Sequence, residues 1–245
     1  VLLEVRELGI RFGGLKAVDN VSFRINRGEI VGIIGPNGAG KSTTFNMLAG
    51  ALTPTSGKVV YEGREIQGKS PWEICKMGIS RTFQKIKVFG DMTVLENAMV
   101  GALLHTSRVP AAREKAMEVL EQLGLHKVSG FKAKNLTLAD RKKLELARAL
   151  CNDPKLLLID EMMCGLTQAE TKDIMDLLIR LNKQGITMIV VEHIMAVIMK
   201  LSERLIVLDH GELIADGTPE EVRAEPAVIR AYLGEGMVAA HGDAP

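Results

Sequence analysis

Lys41 and Ser42 close the run Gly35-Pro36-Asn37-Gly38-Ala39-Gly40-Lys41-Ser42, which fits the pattern G-x-x-x-x-G-K-[ST]. In that pattern glycines let the backbone wrap a phosphate with its N–H groups turned inward. The lysine ammonium reaches the β- and γ-phosphates, and the serine hydroxyl holds Mg²⁺. Thr43 opens the segment behind the loop, and the positive end of a helix there adds to the attraction for an anion. A chance glycine-rich turn would lack the flanks found here. Glu29 to Ile34 reads as a buried strand, and Thr43 to Ala49 as a helix stopped by Gly50. Strand, loop and helix together predict a site for a nucleoside triphosphate and Mg²⁺.

Acids with a matching role follow much later. Leu156-Leu157-Leu158-Ile159 is a continuous apolar run that ends in Asp160-Glu161. If the run is a buried strand, both carboxylates emerge at its carboxyl end, where ligands sit in open α/β sheets. Asp160 can then join the Mg²⁺ shell, and Glu161 can polarise an attacking water. Taken alone, the same residues are an acidic turn after a core strand. Thr187 to Val191 is a second apolar run, and it ends in Glu192-His193, which places His193 where it could bridge to a γ-phosphate.

The elements that must position these groups are legible in outline. Leu2 to Val5, Val21 to Ile25 and Ile30 to Ile34 read as strands, with a turn at Asn26-Arg27-Gly28-Glu29; Lys58 to Glu62 follows as another. From about Val94 to Lys134 the spacing turns helical. It places Leu95, Met99, Leu103 and Leu104 on one face and Ala116, Val119, Leu120 and Leu123 on another, with Val109-Pro110 between. A helix over 140–150 precedes Asp153-Pro154. Helices over Thr171–Asn182 and Met195–Leu201 then alternate with strands over Ile186–Val191 and Leu205–Leu208, the signature of a parallel sheet covered by helices. Residues 237–245 read as a loose tail.

Composition narrows the class. Basic and acidic residues nearly balance, 31 against 30, a formal net charge of +1, so nothing suggests a nucleic-acid surface. No run approaches the roughly 20 apolar residues of a membrane span. Cys75, Cys151 and Cys164 show no metal-ligand spacing and are read as reduced thiols of a cytosolic protein.

The ordered set of phosphate loop, Gln84, a pre-helical motif at Thr137, Asp160-Glu161 and His193 resembles the ATP-binding subunits of ABC transporters over about residues 2–235. The resemblance implies an α/β P-loop NTPase fold, RecA-like. Its parallel-sheet core would comprise 1–88 and 141–236, with antiparallel β elements in the N-terminal part and a helical subdomain inserted at 89–140. It implies two such subunits, identical or different, closing head to tail on two ATP molecules. Each site would join one subunit's loop to the other's Thr137-Leu138-Ala139-Asp140. Glu161 would be the general base, His193 the γ-phosphate sensor, and Gln84 a Mg²⁺ ligand that links to the membrane partner. Phe12 would stack on adenine or else serve as an edge aromatic. Partners would be two permease subunits and, indirectly, a solute-binding protein, with the chain peripheral on the cytoplasmic side of the inner membrane.

Gly78-Ile79-Ser80-Arg81-Thr82-Phe83-Gln84, Thr93-Val94-Leu95-Glu96-Asn97, Val191-Glu192-His193 and Ala231-Tyr232-Leu233-Gly234-Glu235 look like the ATPases of importers for branched-chain amino acids, whose relatives serve urea and short amides. An exporter ATPase for lipid or lipopolysaccharide shares Thr43-Thr44-Phe45 and Tyr232-Leu233-Gly234. A soluble ABC ATPase acting on nucleic acid or ribosomes usually carries a second cassette, zinc modules or basic arms. The chain departs from the family where Leu136-Thr137-Leu138-Ala139-Asp140 stands for Leu-Ser-Gly-Gly-Gln, where Met162 follows Glu161, and at Thr167. Leu138 and Ala139 add bulk and Asp140 adds negative charge. Thr137-x-x-Asp140 also reads as a capping box for the helix behind it, and both roles can hold.

Overall fold

The computed structural model describes residues 1–233. The expected tail at 237–245, with Gly234 and Glu235 of the C-terminal motif, lies outside the described residues. In chain order the elements are β1 (Leu3–Phe12), β2 (Leu15–Ile25), β3 (Ile30–Ile34), α1 (Lys41–Leu48), β4 (Ser56–Tyr61), β5 (Arg64–Glu65), α2 (Pro71–Lys76) and β6 (Ile79–Arg81). Next come α3 (Val94–Ala102), α4 (Val109–Gln122), α5 (Leu138–Leu150), β7 (Leu156–Asp160), α6 (Gln168–Lys183) and β8 (Thr187–Val191). The chain continues with α7 (Met195–Leu201), β9 (Arg204–Asp209), β10 (Glu212–Gly217), α8 (Pro219–Ala224) and α9 (Pro226–Leu233). It divides into two compact units, 1–71 together with the chain from Ile189, and 72–188.

In the first unit, β2, β1, β4 and β5 form an antiparallel sheet in that order. β1 and β2 run well beyond their apolar cores. Sequence periodicity missed the extension because β1 is bulged. Glu7 sits at φ 49, its N–H donates to the Ser22 hydroxyl at 2.7 Å, and the register shifts between Val5 and Leu8. The extra residue breaks the alternation that marks a strand. β3 pairs with β9 in parallel, and β9 pairs with β10 antiparallel. All five residues of β3 are buried, as a strand covered on both faces requires.

In the second unit β6 lies parallel to β7. β6 and α2 were not foreseen. β6 is three residues long and its Ser80 and Arg81 are polar, so apolar counting passes over it. The face expected on α3 is corrected. Val94, Asn97, Ala98 and Ala102 are buried, while Leu103 is exposed and Leu95, Met99 and Leu104 are half-buried. Asn97 decides the orientation. Its amide donates to the Phe89 carbonyl at 3.0 Å and the Thr93 carbonyl at 2.9 Å, and accepts the Phe89 N–H at 2.8 Å. A polar side chain so satisfied belongs inside and turns the neighbouring leucines outward. On α4 the expected face holds, with Ala116, Val119, Leu120 and Leu123 all buried. Of the cysteines, Cys151 is buried, Cys75 half-buried and Cys164 exposed. No helix among the described residues is long and apolar enough to cross a membrane.

Candidate functional site

The loop Gly35–Gly40 leads from β3 into α1, and its geometry allows little besides glycine at both ends. A Cβ on Gly35 would stand 2.0 Å from the Leu208 carbonyl oxygen of β9. A Cβ on Gly40 would stand 2.7 Å from the Ala17 carbonyl oxygen of β2, and φ there is +98. Gly40 is also the N-cap of α1, and no side chain caps this end or places an acid in its first turn. Every helix leaves its first N–H groups without an intrahelical acceptor. Lys41 is buried, and its Nζ donates to the carbonyls of Gly35 at 2.6 Å and Pro36 at 2.8 Å. The ammonium is therefore held across the start of the loop.

Phe12 ends β1 and pairs with Leu15, two residues before the Ala17 that meets Gly40. It is 49% exposed, so a face is available for stacking. A cavity of about 620 Å³ runs along Pro36, Asn37, Gly38 and Ala39, walled by His210 and Arg230. Behind it, α9 brings Tyr232 to the loop. Burial raises the Tyr232 phenol above its ordinary range, and the Gly35 N–H, donating to its oxygen, opposes that rise. His193 follows β8, exposed, at the start of the turn into α7.

The second unit gathers the acids. Asp160 ends β7 and Glu161 follows it, both 7% exposed. Gln84 Nε2 donates to Glu161 Oε2 at 2.6 Å, which joins the segment after β6 to the residue that follows β7. Arg81 and Thr82 belong to the same arrangement, although sequence reading gave them no role. Arg81 Nη2 pairs with Asp160 Oδ2 at 3.2 Å, and Thr82 Oγ1 accepts the Asp160 N–H at 3.3 Å. Their signal was the run Arg81-Thr82-Phe83-Gln84 itself.

Thr137 caps α5, its Oγ1 accepting the Asp140 N–H at 3.1 Å. The expected capping box is only half formed, for the carboxylate of Asp140 does not return to the Thr137 N–H. The same kind of cap is complete at Thr93–Glu96, Thr167–Glu170 and Thr218–Glu221. Each of those glutamates has one more methylene than Asp140, which gives it the reach. In each, the threonine backbone N–H is the largest influence holding the glutamate carboxyl below its ordinary range. Thr167, a departure from the family pattern, thus has a structural role as the cap of α6. Ala139 is buried, so its methyl group adds no bulk at the helix end, whereas Leu138 is 37% exposed there. Leu138 also lies close to Gly165.

Comparison with known proteins decides the family. The family described as "ABC transporter" matches residues 18–163, more than half of the chain. The chain belongs to the ABC transporter family. Residues 212–238 of this cassette match a second family, described as "Branched-chain amino acid ATP-binding cassette transporter". A Salmonella typhimurium relative, the high-affinity branched-chain amino acid transport ATP-binding protein LivG, is 41% identical over 96% of this chain and 98% of its own length. The ADP conformation of an ABC transporter's ATP-binding cassette is similar in structure, with a TM-score of 0.86 and 33% identity over 96% of this chain and 99% of the other. A dimeric cassette bound to ADP and Pi gives a TM-score of 0.79 at 28% identity, covering 89% of this chain and 99% of the other. The α/β fold of the ABC cassette is therefore the fold of this chain. The family's ATP-hydrolysing activity, coupled to transport, goes with it.

Proposed function

We propose that this chain is the ATP-hydrolysing subunit of an importer for branched-chain amino acids. The observation that carries the chemistry is the uncapped start of α1, with Lys41 held over a glycine loop that tolerates no side chain at Gly35 or Gly40. The solute comes from relatives such as LivG, whose name specifies it. The lipid-exporter and soluble readings have no comparable support.

The loop N–H groups and Lys41 bind and neutralise the triphosphate. Ser42, Asp160 and Gln84 supply only oxygen atoms to a cation, which suits Mg²⁺. Gln84 donates to Glu161 through Nε2, so its carbonyl oxygen is the atom offered to the metal. Among the described residues no group of three or more His, Cys, Asp or Glu is placed to hold an ion. When bound, Mg²⁺ neutralises charge developing on the transferred phosphoryl group. Glu161 accepts the proton of the attacking water, and Gln84 orients that carboxylate. His193 donates to the γ-phosphate, and Phe12 stacks on the adenine. Thr137 to Asp140 face the ATP of a second cassette, identical or different. Two permease subunits, served by a solute-binding protein, hold the pair on the cytoplasmic side of the inner membrane.

The test is ATP-dependent uptake of leucine by proteoliposomes that contain the chain with its permease partners. Uptake is expected for the wild type and lost in Glu161→Gln. ATP hydrolysis without any transport of branched-chain amino acids would overturn the solute assignment.

A further inference from the structure

α5 carries a row of charged side chains that the chemistry above leaves unexplained. Lys142 is 5% exposed and Glu145 3%, and Arg148 lies one further step of three residues along. Residues three apart fall on one side of a helix. Buried charges are costly and persist where each has partners. Here the partners belong to the two backbone segments that carry Gln84 and Glu161. Glu145 Oε1 accepts the Lys87 N–H at 3.3 Å, and Arg148 Nη1 donates to the Lys87 carbonyl at 2.7 Å. Arg148 Nη2 lies 3.9 Å from Glu145 Oε1. At the other end of the row, Lys142 Nζ makes a long hydrogen bond of 3.5 Å to the Glu161 carbonyl.

Glu161 requires such a hold. Its φ is +46, a left-handed conformation that costs a residue with a Cβ free energy. Strain of this kind persists where the surroundings fix it, and it often marks functional sites. A donor at the Glu161 carbonyl fixes this peptide, while Gln84 fixes the side chain at 2.6 Å. Glu145 behaves as a buried member of the row. Burial raises its carboxyl above the ordinary range, opposed by the Lys87 and Phe83 N–H groups and by the Arg148 and Lys142 charges.

We propose that Lys142, Glu145 and Arg148 are positioning residues for hydrolysis. From one helix they fix the backbone of the Gln84 segment and the carbonyl of Glu161, and so set how the Gln84 amide meets the Glu161 carboxylate. The inference rests on the reading of Glu161 as the base. It also gives α5 a task beyond its capped end, since a shift of the helix at Thr137 is passed to Glu161 through Lys142.

The experiment uses the purified full chain, with phosphate release and ATP binding measured separately for Lys142→Ala and Lys142→Arg. Misplacement by about 1 Å can cost on the order of a hundredfold in rate. Lys142→Ala should lower kcat by about ten- to a hundredfold and change ATP affinity by less than about threefold. Lys142→Arg, whose guanidinium can reach the same carbonyl, should restore kcat to within about threefold of wild type. A kcat for Lys142→Ala within about twofold of wild type would overturn the proposal. So would a fall in kcat matched by an equal loss of affinity, or a failure of arginine to rescue. If the alanine variant does not fold, Lys142→Gln takes its place under the same criteria. The Glu161→Gln rate sets the floor. Wild-type turnover no higher than that floor sinks the ATPase reading itself, whereas turnover well above it with Lys142→Ala unaffected sinks only the positioning role.

Discussion

Two helix starts in this chain are built in opposite ways. α1 begins at a left-handed glycine, with no capping side chain and no acid in its first turn. α5 begins at Thr137, whose hydroxyl takes the Asp140 N–H, with a carboxylate already in the first turn. The first leaves its N–H groups and dipole for an external anion. The second meets part of that need internally. It stops short of the complete boxes at α3, α6 and α8, where glutamate reaches back to the threonine N–H. A helix end that receives phosphate must remain unfinished, and α5 is intermediate: capped through Thr137, with a carboxylate not engaged in the box.

Removing the chemistry while leaving α1 intact should give the largest effect. Glu161→Gln is expected to lower turnover by about a thousandfold, with ATP affinity kept within a few-fold, because an amide cannot accept the proton of water. Phosphate release and calorimetry on the same preparation check both halves, and turnover near wild type would identify another base. Damage to the α1 end itself comes next. Lys41→Ala removes a charge-assisted donor from the loop and should weaken ATP binding by about a hundredfold, or roughly 3 kcal/mol. Calorimetry with Mg²⁺ measures it, and near-normal affinity would end the contrast between the two helix starts.

The α5 end should respond in stability before it responds in binding. Thr137→Ala should cost about 1 kcal/mol, seen as a lower melting temperature. Asp140→Glu offers the missing methylene. It should complete the box and raise the melting temperature by a degree or two, roughly 0.5 kcal/mol. No gain from Asp140→Glu would mean that the geometry of this end, not side-chain length, keeps the box open. The smallest effect comes from pH. The glutamates of the complete boxes have depressed folded-state pKa values, so their contribution is present at neutral pH and lost as pH falls through those values. Hydrogen-exchange protection at the first turns of α3, α6 and α8, taken relative to the intrinsic rate at each pH, should fall on acidification below the ordinary glutamate range.

What the sequence made legible follows from how local each signal is. The run Gly35–Ser42 specifies its own loop, and Asp160-Glu161 announces itself at the end of an apolar strand; both stand where they were expected. The Thr137 cap was legible for the same reason, though not the shortfall of Asp140, which depends on one methylene. The buried face of α3 was misplaced because Asn97, a polar residue, occupies it through hydrogen bonds to Phe89 that no periodicity contains. β6 escaped notice because a strand of three residues gains its identity from pairing with β7. The row of buried Lys142 and Glu145 with half-buried Arg148 looks in sequence like the solvated face of any helix.

The unequal exposure of the cysteines offers a practical handle. Burial pushes the Cys151 thiol up to about 12 and raises that of Cys75 as well, so neither supplies much thiolate at neutral pH. Cys164 is exposed and adjoins Gly165, the glycine that lies close to Leu138 at the α5 start. A maleimide dye should therefore react chiefly at Cys164 in the unaltered protein. Its fluorescence would then report, without any engineered residue, when a second cassette approaches the motif at Thr137.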